Sequence, residues 1–373
     1  MTFVIITHVP HIQTENSYFA YAPYVQEMNI WIKPADKVIV VAPKTNIAPT
    51  AIDLAYDHQN IEFVPIARFD LLSAKAIFLA LVKLPKIGWR IYRSMKRADH
   101  IHLRCPGNVG LLGALVQILF PHKIKTVKYA GNWDPKSKQP WSYRLQKWIV
   151  STPFLSKNIQ VLVYGEWEGM TKNVKPFFTA TYKEEEIVPP LSKHLEGAIA
   201  FVFVGGLVKG KNPLYAVHLV EALFKKGQAV TLSLYGEGPE RKRIEQYLVE
   251  NNLEKIISLK GNQTKETLKR VYQSSHFVLL PSDSEGWPKA LAEGMFWGCV
   301  PIATSVSCVP FMLDYGKRGV LLTRILLNDS MQLIDLIENR TAYNEKQAKA
   351  LNWSRTYTLN LFEKGIRALV VSK

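Results

Sequence analysis

The stretch Ala200-Phe201-Val202-Phe203-Val204-Gly205-Gly206-Leu207-Val208-Lys209-Gly210-Lys211-Asn212-Pro213 runs from an unbroken apolar segment into a turn of glycines and lysines. A run without alternation suits a strand covered on both faces. Residues 214–224 then carry helical spacing, and the plan repeats downstream: strand 231–235, helix 241–250, strand 256–259, helix 265–273 and strand 277–280. Strands alternating with helices at this interval predict a parallel α/β sheet, a Rossmann-like unit.

Reading back from there, the first half follows the same plan. Strands are predicted at 3–6, 37–42, 61–64, 100–103, 125–129 and 159–163, with helices near 19–30 and over 110–120 and 141–151. The polar, Pro-containing stretch from Lys183 to Pro190 marks an interdomain linker near 183–198. The predicted organisation is a Rossmann-like domain over 1–185, a linker at 183–198, a second domain over 199–350 and a terminal segment, 351–373. Two such domains facing each other place the carboxyl ends of both sheets at one cleft, where open α/β sheets bind ligands.

The chain's 373 residues, 47% hydrophobic and 21% charged, fit two to three domains and exclude a disordered, collagenous or small disulfide-stapled protein. Cys105, Cys299 and Cys308 have no metal-ligand spacing, and an odd count argues against a disulfide framework, so a reducing compartment is expected. The start, Met1-Thr2-Phe3-Val4-Ile5-Ile6, reads as a first strand with no signal peptide. The longest apolar run, 111–120, is too short to span a bilayer.

Charge is unevenly placed. The net charge is +16, and residues 71–165 hold 16 Lys and Arg against only Asp99 and Asp134. Over 73–98, Lys75, Lys83, Lys86, Arg90, Arg93, Lys96 and Arg97 interleave with Ile77, Leu81, Leu84, Trp89 and Tyr92, which predicts a basic amphipathic helix bent at Pro85. In the helix from 141, Trp141 and Trp148 share a face with Arg144, and Trp beside Arg suits a membrane interface. Lys83, Lys86, Trp89, Arg90, Arg93, Trp141, Arg144 and Trp148 are thus candidates for contact with an anionic surface. The alternative is a pair of ordinary helices with core-packed apolar faces and solvated basic ones. Nucleic acid is disfavoured, because only bulk charge supports it.

Two loops hold the candidate chemistry. In the turn after strand 200–204, Gly205 and Gly206 let backbone approach a ligand, and Lys209 and Lys211 supply the charge a diphosphate needs. The turn is neither a Walker motif nor GxGxxG, and an ordinary strand-to-helix turn is the competing reading. After strand 277–280 comes Ser284-Glu285-Gly286-Trp287-Pro288-Lys289-Ala290-Leu291-Ala292-Glu293. Pro288 fits the first helical position, which leaves the amides of Lys289, Ala290 and Leu291 free to face a phosphate. Glu293, one turn into that helix, is placed to accept both hydroxyls of a ribose, with Glu285 at the sugar end. A plain helix-surface acid and a capping acid remain the alternatives.

These motifs resemble those of the retaining GT-B glycosyltransferases of family 4. Glu285 and Glu293 match the family's Glu-x7-Glu, and Val204 to Lys211 resembles its Gly-Arg-Leu-x-x-x-Lys turn. Tyr235-Gly236-Glu237-Gly238-Pro239 resembles its Gly-Asp/Glu-Gly-Pro turn, and Gly298 to Thr304 its Gly-x-Pro-Val-x-Ala/Ser stretch. The resemblance implies the GT-B fold, a C-terminal helix that crosses back to the N-terminal domain, and transfer of a sugar from a UDP- or GDP-sugar. Lys211 would brace the leaving diphosphate, Glu285 the sugar and Glu293 the ribose. Gly236, Gly261, Asn262, Gly286 and Trp287 complete the expected donor site, with neither metal nor cofactor.

Three departures stand out. Gly206 replaces the family's arginine, which leaves Lys209 as a substitute cation. Ser307-Cys308-Val309-Pro310-Phe311 replaces Gly-Gly-x-x-Glu, and no N-terminal histidine follows a central strand. There Asn132 and Asp134 are offered instead, with His8, His11 and Arg104 as further acceptor-side candidates. Each histidine has a structural alternative. The expectation is a cytoplasmic enzyme, peripheral at the inner membrane face, that glycosylates a lipid-linked or growing glycan acceptor in cell-envelope polysaccharide synthesis. A catalytically silent nucleotide-sugar-binding or glycan-binding protein and a sugar-nucleotide epimerase are the competing readings.

Overall fold

The computed structural model describes residues 1–15, 17–50, 52–69 and 74–371, except the side chains of 74–81 and 371. Lys75, Ile77 and Leu81 of the basic stretch therefore lie outside the described side chains. The chain divides into two compact units, Met1–Phe178 with Phe362–Lys373, and Thr179–Leu361.

The first unit contains β1 (Thr2–Ile6), β2 (His11–Gln13), β3 (Tyr18–Tyr21), α1 (Ala22–Ile32), β4 (Lys37–Thr45), β5 (Asp53–Ala55), β6 (Ile61–Ile66) and α2 (Ala74–Arg97). It continues with β7 (His100–Cys105), α3 (Asn108–Val116), β8 (Ile124–Tyr129), α4 (Trp141–Ser151), β9 (Ile159–Tyr164) and β10 (Val174–Phe177). The sheet runs β10-β9-β8-β7-β1-β4, with β6 parallel to β4 and the short β2, β3 and β5 at its edge. The chain turns one way from β1 to β4 and β6, then returns to β7 on the other side of β1. The topological switch point thus lies between β1 and β7.

The helix expected near 19–30 starts later. Residues 18–21 form β3, because Pro23 belongs in a first helical turn and α1 therefore opens at Ala22. Helix α2 runs through Pro85 and buries Ile87, Ile91 and Met95 with Val4, Ile39 and Leu103 of the sheet. Each such side chain contributes about 1.5–3 kcal/mol.

The second unit holds β11 (Ile199–Val204), α5 (Pro213–Lys225), β12 (Val230–Tyr235), α6 (Arg241–Glu250), β13 (Ile257–Leu259), α7 (Lys265–Ser274) and β14 (Phe277–Leu280). Then follow α8 (Lys289–Phe296), β15 (Val300–Thr304), α9 (Val309–Met312), β16 (Val320–Leu322), α10 (Leu326–Glu338), α11 (Arg340–Ser354) and only the first turn of α12 (Leu359–Val371). Its all-parallel sheet has the order β13-β12-β11-β14-β15-β16, the doubly wound order with its switch point between β11 and β14.

The expected linker, 183–198, lies inside the second unit. Lys193 pins it there, its ammonium donating to the carbonyls of Tyr272 (2.8 Å), Ser275 (2.6 Å) and Trp297 (3.0 Å). These carbonyls lie at the C-terminal ends of α7 and α8, where a cation is favoured. The expected terminal segment, described to residue 371, contains the end of α11 and α12 with a break over 355–358, where the Thr358 hydroxyl accepts from the Leu361 amide. From Phe362 onward α12 belongs to the first unit. There the buried Lys128 donates to the Phe178 carbonyl (2.7 Å) and lies over the Tyr164, Phe177 and Phe362 rings.

Two predictions follow from buried charge. Burial pushes His11 and His100 down to about 4, from an ordinary 6.5. Between those values the unfolded chain binds protons that the folded chain refuses. Their contribution is therefore complete above pH 6.5 and is lost as pH falls toward 4, at roughly 1 kcal/mol per pH unit for each histidine. Urea titrations between pH 7 and 4.5 should show this slope, and a flat profile would contradict it. Lys193→Met leaves three carbonyls without their charged donor and should cost about 2–3 kcal/mol in the same assay.

Candidate active site

A parallel sheet that winds both ways parts its loops at the switch point, so the segments after β11 and β14 border one crevice. Here they are stitched together. The Asp283 amide donates to the Gly210 carbonyl (2.8 Å), and the Asn212 side chain donates to the Pro281 carbonyl (3.0 Å) and the Asp283 carboxylate (2.9 Å). Lys211 lies in a one-turn 3-10 helix, Lys209–Lys211, and its ammonium is 2.5 Å from the Glu285 carboxylate. Glu285 is buried and Lys211 about one-third exposed, so the carboxylate fixes a cation whose other side faces out.

Glycines shape the rest of this crevice. Gly236, at φ +138°, passes so close to the turn after β11 that a Cβ there would lie 2.0 Å from the Gly205 carbonyl oxygen. Its amide donates to Gly261, which brings the loop after β13, with Gly261 and the exposed Asn262, alongside. Gly206 is open, because a Cβ there would meet nothing closer than 3.8 Å. Lys209 is exposed.

The start of α8 differs in detail from expectation. Pro288 is the cap residue and the helix begins at Lys289. The Leu291 amide donates to the Pro288 carbonyl (3.1 Å), so it is not one of the outward-facing amides. Trp287 is buried, with its ring 6.1 Å from that of Trp353 and 5.5 Å from that of Tyr357; it packs in an aromatic cluster. Phe311 joins the same cluster against Trp353. Gly286 is held through its carbonyl by the Cys308 thiol (2.9 Å). The Glu293 carboxylate takes one hydrogen bond from Thr181 (2.7 Å) and one from Tyr272 (3.3 Å). Burial pushes its carboxyl up, opposed by the Thr181 hydroxyl and the Lys289 charge.

Sequence reasoning missed the support behind Asp283. Arg324, at φ +66°, forms an ion pair with it. The buried Asp329 fixes that bend by accepting from the Thr323 amide (2.8 Å), the Thr323 hydroxyl (2.7 Å), the Arg324 amide (2.9 Å) and the Tyr215 hydroxyl. No local motif marks these residues, which are distant in the chain.

In the first unit, His11, Arg104, Asn132 and Asp134 each have partners within the unit. His11 is buried between the Val9 carbonyl and the Tyr56 hydroxyl, both at 2.8 Å. Arg104 is paired at 2.8 Å with the buried Glu27. Asn132 and Asp134 build a local turn, Asn132 accepting from the Asp134 amide (2.9 Å) and Asp134 from the Lys136 amide (2.8 Å). His8 is different: it follows β1 at the switch point, with its ring so near Gly107 that a Cβ there would meet Nδ1 at 2.8 Å. A cavity of about 480 Å³ opens here, edged by His8, Arg68 and Asn108 and walled in part by Phe69, Val109 and Tyr143.

Among the described residues no cluster of three or more His, Cys, Asp or Glu could hold a metal ion. No helix of the described residues is long and apolar enough to cross a membrane.

Residues 185–351 match the family model described as glycosyl transferases group 1. Protein CapJ of Staphylococcus aureus is 22% identical over 98% of this chain and 99% of its own length. The poly(ribitol-phosphate) alpha-N-acetylglucosaminyltransferase of the same species is 25% identical over 42% of this chain and 32% of its own length. In other curated relatives the matched stretch covers 20% to 46% of their length. Among solved structures, Anabaena HepE in complex with UDP-glucose has a TM-score of 0.70 at 13% identity, covering 100% of both chains. Residues 185–351 are thus similar to the glycosyl transferases group 1 domain, and the chain shares the two-unit α/β fold of HepE, the GT-B fold.

Proposed function

We propose that the protein transfers a sugar from a UDP- or GDP-sugar to a glycan acceptor in cell-envelope polysaccharide synthesis, with retention at the anomeric carbon and without a metal ion. We further propose that the acceptor is lipid-linked and the enzyme cytoplasmic and peripheral at the inner membrane face. The observation that carries the reading is the Lys211–Glu285 pair at the switch point, beside the start of α8. Relatives named as a putative colanic acid biosynthesis glycosyltransferase and a poly(ribitol-phosphate) alpha-N-acetylglucosaminyltransferase, and the UDP-glucose of HepE, support it.

In this reading the bond between the anomeric carbon and the β-phosphate oxygen breaks, and its electron pair leaves with the diphosphate. Lys211 and the amides at the start of α8 stabilise that growing negative charge more than they stabilise the bound donor. The acceptor hydroxyl forms the new bond on the face the diphosphate leaves, and its proton passes to a diphosphate oxygen. Glu285 acts as a positioning group that holds Lys211 in place. Glu293 lies where a ribose diol would compete with Thr181 and Tyr272 for its oxygens.

Thermal unfolding with UDP, GDP and their sugar conjugates tests the donor site, since a ligand bound only by the folded state at 100 times its Kd adds about 2.7 kcal/mol. A shift with one base, reduced in Glu293→Ala, is expected; no shift with any nucleotide would refute the reading. Lys211→Ala should lower kcat by roughly 10²–10³ with a smaller change in donor Kd. Because residue 206 has open space, Gly206→Arg should fold normally and bind the diphosphate more tightly, read as a larger thermal shift.

A further inference from the structure

In the first unit, α3 lies between α2 and α4, so these three helices build one continuous face. The inward sides pack on the sheet through Ile87, Ile91, Met95, Val109, Ala114 and Ile149. That leaves outward stripes, and these are not the polar stripes of an ordinary surface helix. On α2, Val82, Lys86, Trp89, Arg93 and Lys96 recur at three- and four-residue intervals and are all exposed. On α4 the exposed stripe is Trp141, Arg144 and Trp148, and beyond its end Phe154 is 81% exposed. Leu115 and Leu119 fill the middle.

Scattered exposed apolar residues need no explanation, but large ones gathered on neighbouring helices do. The charge around them is of one sign. Glu62 takes Arg97, while Lys86, Arg93, Lys96, Arg144 and Lys157 have no ion pair among the described residues. Indole rings among unpaired cations match a bilayer interface, where the ring sits at headgroup level and the cations meet anionic lipid. A nucleic acid would use the cations but would leave Val82, Leu119 and Phe154 without a role.

The face also has a direction. Lys83 of α2 donates to the Arg68 carbonyl on the rim of the 480 Å³ cavity, and Tyr143 of α4 forms part of its wall. We propose that this face docks on an anionic lipid bilayer and lays the mouth of that cavity at the membrane surface. The proposal deepens the lipid-linked reading of the acceptor, but vesicle binding itself requires no transfer.

Co-sedimentation of the full chain with phosphatidylglycerol/phosphatidylcholine vesicles at low salt tests the docking. The wild type should bind them and not phosphatidylcholine alone. Lys86→Glu/Arg93→Glu and Trp89→Ala/Trp148→Ala should each weaken binding at least about tenfold, while keeping the wild-type nucleotide thermal shift. No binding to anionic vesicles, equal binding by the variants, or retention on RNA without vesicle binding would overturn the proposal. The three native cysteines are buried, so Arg68→Cys can be labelled alone with a polarity-sensitive dye. A blue shift on vesicles is expected, and none would overturn the placement of the cavity mouth. Loss of the nucleotide shift in the wild type with intact vesicle binding would refute the transferase reading instead.

Discussion

The seam between the loops after β11 and β14 is the constraint on which the candidate active site depends. A doubly wound sheet opens at its switch point, and without a tie the two loops would present Lys211 and Glu285 independently. Asp283 supplies that tie by accepting from Asn212 and pairing with Arg324, while its own amide reaches Gly210. Asp329 then holds Arg324 in its left-handed bend through four hydrogen bonds. The cation that would meet a diphosphate is thus positioned by acids from two separate segments, Asp283 and Glu285 of the loop after β14 and Asp329 of α10. Such preorganisation is what electrostatic stabilisation of a leaving group requires.

The first unit obeys the same topological rule with different contents. Its switch point, between β1 and β7, holds an open cavity edged by His8 and Arg68 in place of a lysine–glutamate pair. Charge is used there in two ways. Inside, each cation is matched: Arg104 by Glu27, and Lys128 by a carbonyl and three rings. Outside, Lys86, Arg93, Lys96 and Arg144 stand among exposed tryptophans. A burial cost of several kcal/mol per unmatched ion explains why only the outer group is free to meet an external partner.

Much of the architecture was legible because it is written in local pattern. Continuous apolar runs such as 200–204 and 277–280 mark strands buried on both faces, and Pro23 marks the true start of α1 against the helix expected from 19. The glycine and lysine turn and the Glu-x7-Glu spacing likewise lie within single loops. Burial was not legible at single residues. Trp287 and Arg104 read as candidates for ligand contact, yet one packs in an aromatic cluster and the other pairs inside the unit. Polar, Pro-containing composition marks an interdomain linker at 183–198; that Lys193 binds this stretch to two helix ends was not legible in it.

Periodicity, turn residues and net charge therefore determine which segments become strands and helices, where loops face the switch points, and that the stretch 71–165 is strongly basic. These are short-range properties, set by backbone geometry and side-chain polarity over a few residues. The partners of those charges were decided by tertiary structure alone. Arg324 meets Asp283, Lys211 meets Glu285 and Glu293 meets Thr181 across 41 to 112 positions of chain. Such pairings follow from which strands lie side by side, and no local spacing encodes that order.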